Sequence, residues 1–455
     1  MPLYAGVCSA DITPPPGVWM AGYAFRATGA MGVHDTLNAT AFVIDNGVVR
    51  VAIISVDLIA LPADIITRIR SEIAQTIGTS VSAIMLHCTH THGGPYVGIY
   101  RAMGSRFPAY EEILCRKIVG VCSGAVERFL PARLTYGEAP AQIGVNRRQR
   151  VDGRIEIGRN LSGPVVPIVQ TLSVTSIDGS TFAILFAHTC HPTTLGGENL
   201  YLTAEWPGAA VRHLTQRCKE EGASNGYSAD CCAIALVGCC GDINPLHRGT
   251  WETMEANGKT VADAAHTARW GSHGHLDANL KYQELQLKLP TLPPIPLDEA
   301  RKELDHWTDQ LNRHLTSGAN EGALMFDRAR IEWALDQLTR NEPGKDAGEV
   351  DFSIQCLDLG GVKIIGFPAE MFSSYQLDLI QQSTKPVFAL SYTNGCANYL
   401  PAAADYPSGG YEVEDAYKYY ASPMFAPEAE LLVREAAYRL LDVDDPDTTP
   451  LPAST

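Results

Sequence analysis

The chain has 455 residues, 45% of them hydrophobic and 19% charged, with 35 Lys and Arg against 51 Asp and Glu for a formal net charge of -16. This is globular composition with ample material for a buried core. Its acidic balance repels nucleic acid and anionic lipid surfaces at long range, and no basic run or interleaved aromatic patch argues for nucleic-acid binding.

The N-terminal MPLYAGVCSADITPPPG has neither a positive n-region nor a continuous apolar run, so no export signal is read there. The most apolar stretch, VAIISVDLIALPADII, is broken by Asp57, Pro62 and Asp64, and no membrane-spanning segment is expected. The expected location is cytoplasmic. Twelve cysteines occur without a C-x-x-C, and the adjacent pairs Cys231-Cys232 and Cys239-Cys240 point to opposite faces of a strand. Buried reduced thiols are the expectation.

Apolar strand-like runs recur along the chain: VRVAIISVD near 49, VSAIMLHC near 81, VPIVQTLSV near 166, TFAILFAH near 181, CAIALVGCC near 232, KIIGF near 363 and VFALSY near 387. Helical patterns lie between them at 62–77, 109–130, 207–221, 259–270, 371–382 and 427–441. The alternation predicts an α/β fold, a mixed β-sheet core flanked by helices. Residues 297–342 are charged and rich in helix formers, and Gly318 in SGAN divides them into a helical hairpin inserted in one catalytic domain spanning 1–443. Lid, homo-oligomer contact and scaffold are the three roles open to it. The tail, 444–455, reads as loose.

Five of these segments finish in residues able to bind metal or move protons: His87, His90 and His92; His188 and His191; Asp242 and Asn244; Glu370; Asn394 and Tyr399. In open α/β sheets ligands bind beyond the carboxyl ends of the strands, so these side chains are expected to converge. His90 and His92 have period-two spacing and share one face of an extended chain. His90, His191 and Glu370 are ligand types suited to zinc, and His92 has the chemistry of a general base. Each also has a plain structural reading. Glu370 follows Pro368 and suits a helix start. Gly241-Asp242 suits a turn, and so does His34. Arg147 and Arg148 suit a solvated surface, and Tyr399 and Tyr411 suit partly buried aromatics.

Seven ordered elements between about residues 4 and 440 resemble the catalytic domain of the neutral/alkaline ceramidase family: AGVCSADITPPPG, HCTHTHGGP, NRR at 146–148, HPTTLGGENLYLTAEWPG, GDINP, GFPAE and YTNGCANYLPAAADYPSGGYE. The resemblance implies a Zn2+ held by His90, His191, Glu370 and Tyr399, with His92, Arg147 and Tyr411 around the reacting carbonyl. The family's serine falls at Asn244 and its final Asn at Leu246, so an acyl-enzyme through that serine is excluded and Asn244 is left to orient water or substrate. The β-rich C-terminal domain and export signal of full ceramidases are also not read here. The expected activity is zinc-dependent hydrolysis of an amide in a small or medium substrate by activated water. Ester or lactone hydrolysis, metal-dependent isomerisation of a polyol or sugar, and a non-catalytic binding protein are the alternatives.

Overall fold

The computed structural model describes residues 2–225, 231–270 and 275–442, and the tail read as loose lies outside them. The fold is α/β, with sheets of mixed strand orientation flanked by helices. The largest sheet has eight strands in the order Cys232–Val237, Thr181–His188, Ile168–Ser176, Leu130–Pro140, Tyr4–Asp11, Asn38–Asp45, Arg50–Val56 and Ile84–Cys88. A four-stranded sheet runs Leu280–Pro290, Glu349–Leu359, Lys363–Gly366 and Val387–Leu390. All seven apolar runs read from the sequence contribute strands. The strand Leu280–Pro290 exposes Lys281 and Gln283 on one face and Gln286 and Lys288 on the other, so no continuous apolar run reveals it.

The two ends of the large sheet approach each other. Ser55 Oγ donates to Ala235 O at 2.7 Å, and Val237 N–H donates to His87 Nε2 at 3.0 Å. His87 Nδ1 lies 3.2 Å from Thr393 Oγ1. With Nε2 accepting from a backbone amide, Nδ1 must carry the proton. Burial lowers the imidazole to about 3, which fixes it neutral. His87 therefore bolts Ile84–Cys88 to the strand Cys232–Val237 and to the 391–394 turn. His188 is also structural: its Nδ1 lies 2.9 Å from Ile168 O and its ring packs against Trp206. Asn394 accepts from Leu86 N and donates to Gln355.

The helix expected at 259–270 begins earlier, at Trp251, and runs to Ala268. Thr250 caps it by accepting from Thr253 N–H at 3.1 Å. Gly258 hides this start from a propensity reading. It sits in the helix because a Cβ there would fall 2.4 Å from Ala209 Cβ on the crossing helix Glu205–Asn225. Residues 297–340 form two helices, Leu297–Ser317 and Glu321–Arg340, joined through a left-handed Gly318. The second helix seats on the backbone of Phe25 and Arg26 at Gly322, and Phe326 stacks on Phe25. All twelve cysteines are unpaired, and most are buried. Among the described residues no helix is long and apolar enough to cross a membrane.

Replacing His87 with Ala removes a packed ring and leaves the Val237 amide without a partner. It is expected to lower stability by about 2–4 kcal/mol, seen as a lower urea midpoint at unchanged slope.

Candidate metal centre

Three imidazoles meet just past the strand ends. The ring nitrogens of His90, His92 and His191 that face one another all lie within 4.8 Å. Each ring is aimed by a backbone carbonyl. His90 Nδ1 bonds Ile59 O at 2.8 Å, His92 Nδ1 bonds Gly22 O at 3.1 Å, and His191 Nδ1 bonds Cys240 O at 2.5 Å. A carbonyl only accepts, so each Nδ1 is protonated and each Nε2 carries a lone pair. The Nε2 atoms of His90 and His92 are buried without a hydrogen-bond partner.

Glu370 completes the cluster. Its Oε2 is 3.0 Å from His191 Nε2 and 3.6 Å from His90 Nε2. Burial raises this carboxyl, and the hydrogen bond donated by Tyr420 opposes that by favouring the ionised form. Burial lowers the imidazoles, His90 to about 3 and His92 and His191 in the same direction. Near neutral pH an imidazole lone pair thus faces a carboxylate lone pair with no proton between them. Such a pair is repulsive unless a cation lies at the junction. The donor set, neutral imidazoles with a carboxylate, suits zinc and other divalent ions of borderline character.

Local backbone strain sits here as well. His90 and Tyr392 hold φ of 60° and 54°, a region that costs non-glycine residues about 1–3 kcal/mol. Their rings stack at 3.7 Å, so packing holds both. Tyr392 OH donates to Glu370 Oε2 at 3.3 Å, and Tyr420 OH donates to Oε1. Neither phenol stands out in the sequence. They reach Glu370 only through the fold, Tyr420 from the chain that packs beneath the helical hairpin.

Glu370 does not begin a helix. It lies on the short strand Glu370–Met371, paired in parallel with Tyr399–Leu400 so that Glu370 and Tyr399 are directly opposite. The helix starts three residues later, at Ser373. Gly241 makes this strand possible, because a Cβ there would fall 2.7 Å from Glu370 O and 2.9 Å from Met371 O.

Arg147 and Arg148 are not solvated charges; they are 4% and 6% exposed. Arg147 Nε and Arg148 Nη1 each bond Glu412 at 2.7 Å. Arg147 Nη2 donates to Tyr399 OH at 3.0 Å and Nη1 to Asn244 Oδ1 at 3.3 Å. The Tyr411 ring lies 6.1 Å from that of Tyr399 and 5.8 Å from the Arg147 guanidinium carbon. Asp242, buried in its turn, accepts from Asn146 Nδ2 and from Ser373 N and Oγ, which joins the strand of Arg147 to the helix after Glu370. His34 pairs with Asp35 and stacks on Trp251, outside the cluster. One network thus joins His90, His92, His191, Glu370, Tyr399, Arg147, Asn244 and Tyr411. A separate cavity of about 1050 Å³ lies between the large sheet and the helix Glu205–Asn225, with Ser55, Asp57 and Val211 on its walls.

Glu412 is the sequence-invisible member whose loss should be most costly. Replacing it with Ala strands two buried guanidiniums and is expected to cost about 3–5 kcal/mol by chemical denaturation. Burial raises the Glu412 carboxyl, yet Arg147 and Arg148 pull it below its ordinary value. The stability it contributes is therefore present above an unfolded value of about 4.3 and is lost as pH falls below that. The difference between wild type and Glu412→Gln is expected to be flat above pH about 5 and to shrink in acid.

Residues 3–275, more than half of the chain, match the family model described as neutral/alkaline non-lysosomal ceramidase, N-terminal. No curated protein matches the sequence. Among solved structures, the neutral ceramidase from Pseudomonas aeruginosa is 17% identical with a TM-score of 0.73, over 99% of this chain and 76% of that one. A structure described as a ceramidase complexed with C2 gives 17% identity and a TM-score of 0.74, over 99% and 77%. At that identity the likeness establishes a shared fold, and the match over residues 3–275 establishes the kinship: the chain belongs to the neutral/alkaline ceramidase family of amide-bond hydrolases.

Proposed function

We propose that this protein is a zinc-dependent amidase that hydrolyses an N-acyl bond with water as the nucleophile. The observation that carries the reading is the facing pair of His191 Nε2 and Glu370 Oε2, two acceptors at 3.0 Å that need a cation between them. His90, His191, Glu370 and Tyr399 are the residues proposed to hold the ion. A bound zinc supplies Lewis-acid chemistry, polarising a carbonyl and lowering the pKa of water to about 7.

The chain's own groups do the rest. His92 is neutral, with Nδ1–H anchored on Gly22 O and the Nε2 lone pair free, so it is set to accept the proton of the attacking water. Returned to the nitrogen of the scissile amide, that proton lets the amine leave. Arg147, held rigid by Glu412, and Tyr411, whose ring lies 5.8 Å from the Arg147 guanidinium carbon, are the groups proposed to donate to the developing oxyanion. Burial excludes bulk water from His90 and His191 and strengthens each of these interactions. Asn244 stands at the position of the family's serine and has no hydroxyl to acylate, which favours direct attack by water.

A second reading is favoured by the mutual approach of the three imidazoles: His92 is itself a metal ligand. Two substitutions separate the readings. His90→Ala or His191→Ala is expected to abolish bound zinc, measured by elemental analysis of purified protein. His92→Ala is expected to retain zinc while lowering kcat by about 10²–10⁴-fold on an amide substrate. Zinc lost from His92→Ala would make it a ligand, and full zinc and activity in His90→Ala would refute the centre.

A further inference from the structure

The side chain of Asn244 is not idle. It lies on the short strand Ile243–Pro245, paired with Gly144–Val151, and is 6% exposed. Its Oδ1 accepts from Arg147 Nη1 at 3.3 Å and from Thr193 Oγ1 at 3.5 Å. A guanidinium has donors and no acceptor, so the carbonyl end of the amide must face Arg147, and a flipped amide would set donor against donor. That fixes Nδ2 on the opposite side. Nδ2 has no hydrogen-bond partner among the described residues, yet it is not among the sealed, unsatisfied polar atoms. An NH2 group is therefore left available to a ligand's acceptor, with its orientation fixed by the two bonds to Oδ1.

We propose that Asn244 is a catalytic hydrogen-bond donor, its Nδ2 binding the substrate carbonyl oxygen as it becomes a tetrahedral oxyanion, alongside Arg147 and Tyr411. The inference rests on the proposed amidase reading and adds the role of this residue. No bond to Asn244 forms or breaks. The nucleophile remains water, and the amide stays neutral throughout. A neutral donor suits the task, because it stabilises the oxyanion without adding charge to a site that already holds a guanidinium. Locking by Arg147 and Thr193 means that the donor is pre-aimed and loses little rotamer freedom when the oxyanion forms.

The test uses full-length, zinc-loaded protein with two probes, phenylphosphonate as the tetrahedral anion and benzamide as the planar amide. Affinities are measured by calorimetry for wild type, Asn244→Ala and Asn244→Ser, with zinc content and thermal unfolding recorded for each. The expected result is at least a tenfold loss of phenylphosphonate affinity in Asn244→Ala with zinc retained. Benzamide binding should change less than threefold, and Asn244→Ser, which keeps a hydroxyl donor, should recover part of the loss. Equal weakening of both probes would indicate a merely structural role and overturn the proposal. So would unchanged phenylphosphonate binding in Asn244→Ala, or a zinc-loaded wild type that does not bind phenylphosphonate. A wild type that takes up no zinc overturns the amidase reading, and this inference with it.

Discussion

The organisation of this site follows from one electrostatic constraint. A buried carboxylate and two buried neutral imidazoles point their lone pairs at a common spot. Left alone, that arrangement is costly, since among the described residues no donor lies between the facing acceptors. The fold nevertheless enforces it. Carbonyls from Ile59, Cys240 and Gly22 choose the tautomer of each histidine, and phenols from Tyr392 and Tyr420 grip the carboxylate. The left-handed backbone at His90 and Tyr392 is a second cost accepted at the same place. Strain and unsatisfied acceptors concentrated together are what a pre-formed cation site looks like when its walls are built independently of the ion.

Around that centre lies a second layer with the opposite charge logic. Glu412 sits between Arg147 and Arg148, and Asp405 also pairs with Arg148, so the two guanidiniums are met by two carboxylates beneath Tyr399 and Asn244. The pair is worth having there for direction more than for stability, because buried ion pairs gain little against their desolvation. Arg147 is held at three of its nitrogens and cannot swing, which gives every group bonded to it a fixed orientation. The helix Glu321–Arg340 reaches the same neighbourhood from outside. It seats on the backbone of Phe25 and Arg26, and Arg26 in turn bonds His92 O, while Arg330 bonds Tyr419, the neighbour of Tyr420.

Membership of the ceramidase family sets the reaction class, hydrolysis of an amide bond. The 1050 Å³ cavity beside the helix Glu205–Asn225 has none of the cluster residues on its walls. Chemistry in this protein is located by facing lone pairs, not by empty volume.

The sequence by itself determined the α/β class, the seven apolar strands, the helical hairpin with its turn at Gly318, and the residue types at the strand ends. Each of these is written in local periodicity or in single residues with strong backbone preferences. It also determined the set of candidate site residues, because His90-Thr91-His92 and its matching family elements are contiguous motifs. Tertiary structure alone decided the rest. It buried Arg147 and Arg148, which look like surface charges until Glu412, some 260 positions later, is brought between them. It placed Glu370 on a strand instead of a helix start, because Tyr399–Leu400 offered a partner for its backbone and Gly241 left room. It brought Tyr392 and Tyr420 to Glu370 and made His87 a bolt between sheet edges. The physical reason is the same in each case. Burial and partnership are properties of pairs distant in the chain, and no local pattern encodes which distant group will arrive.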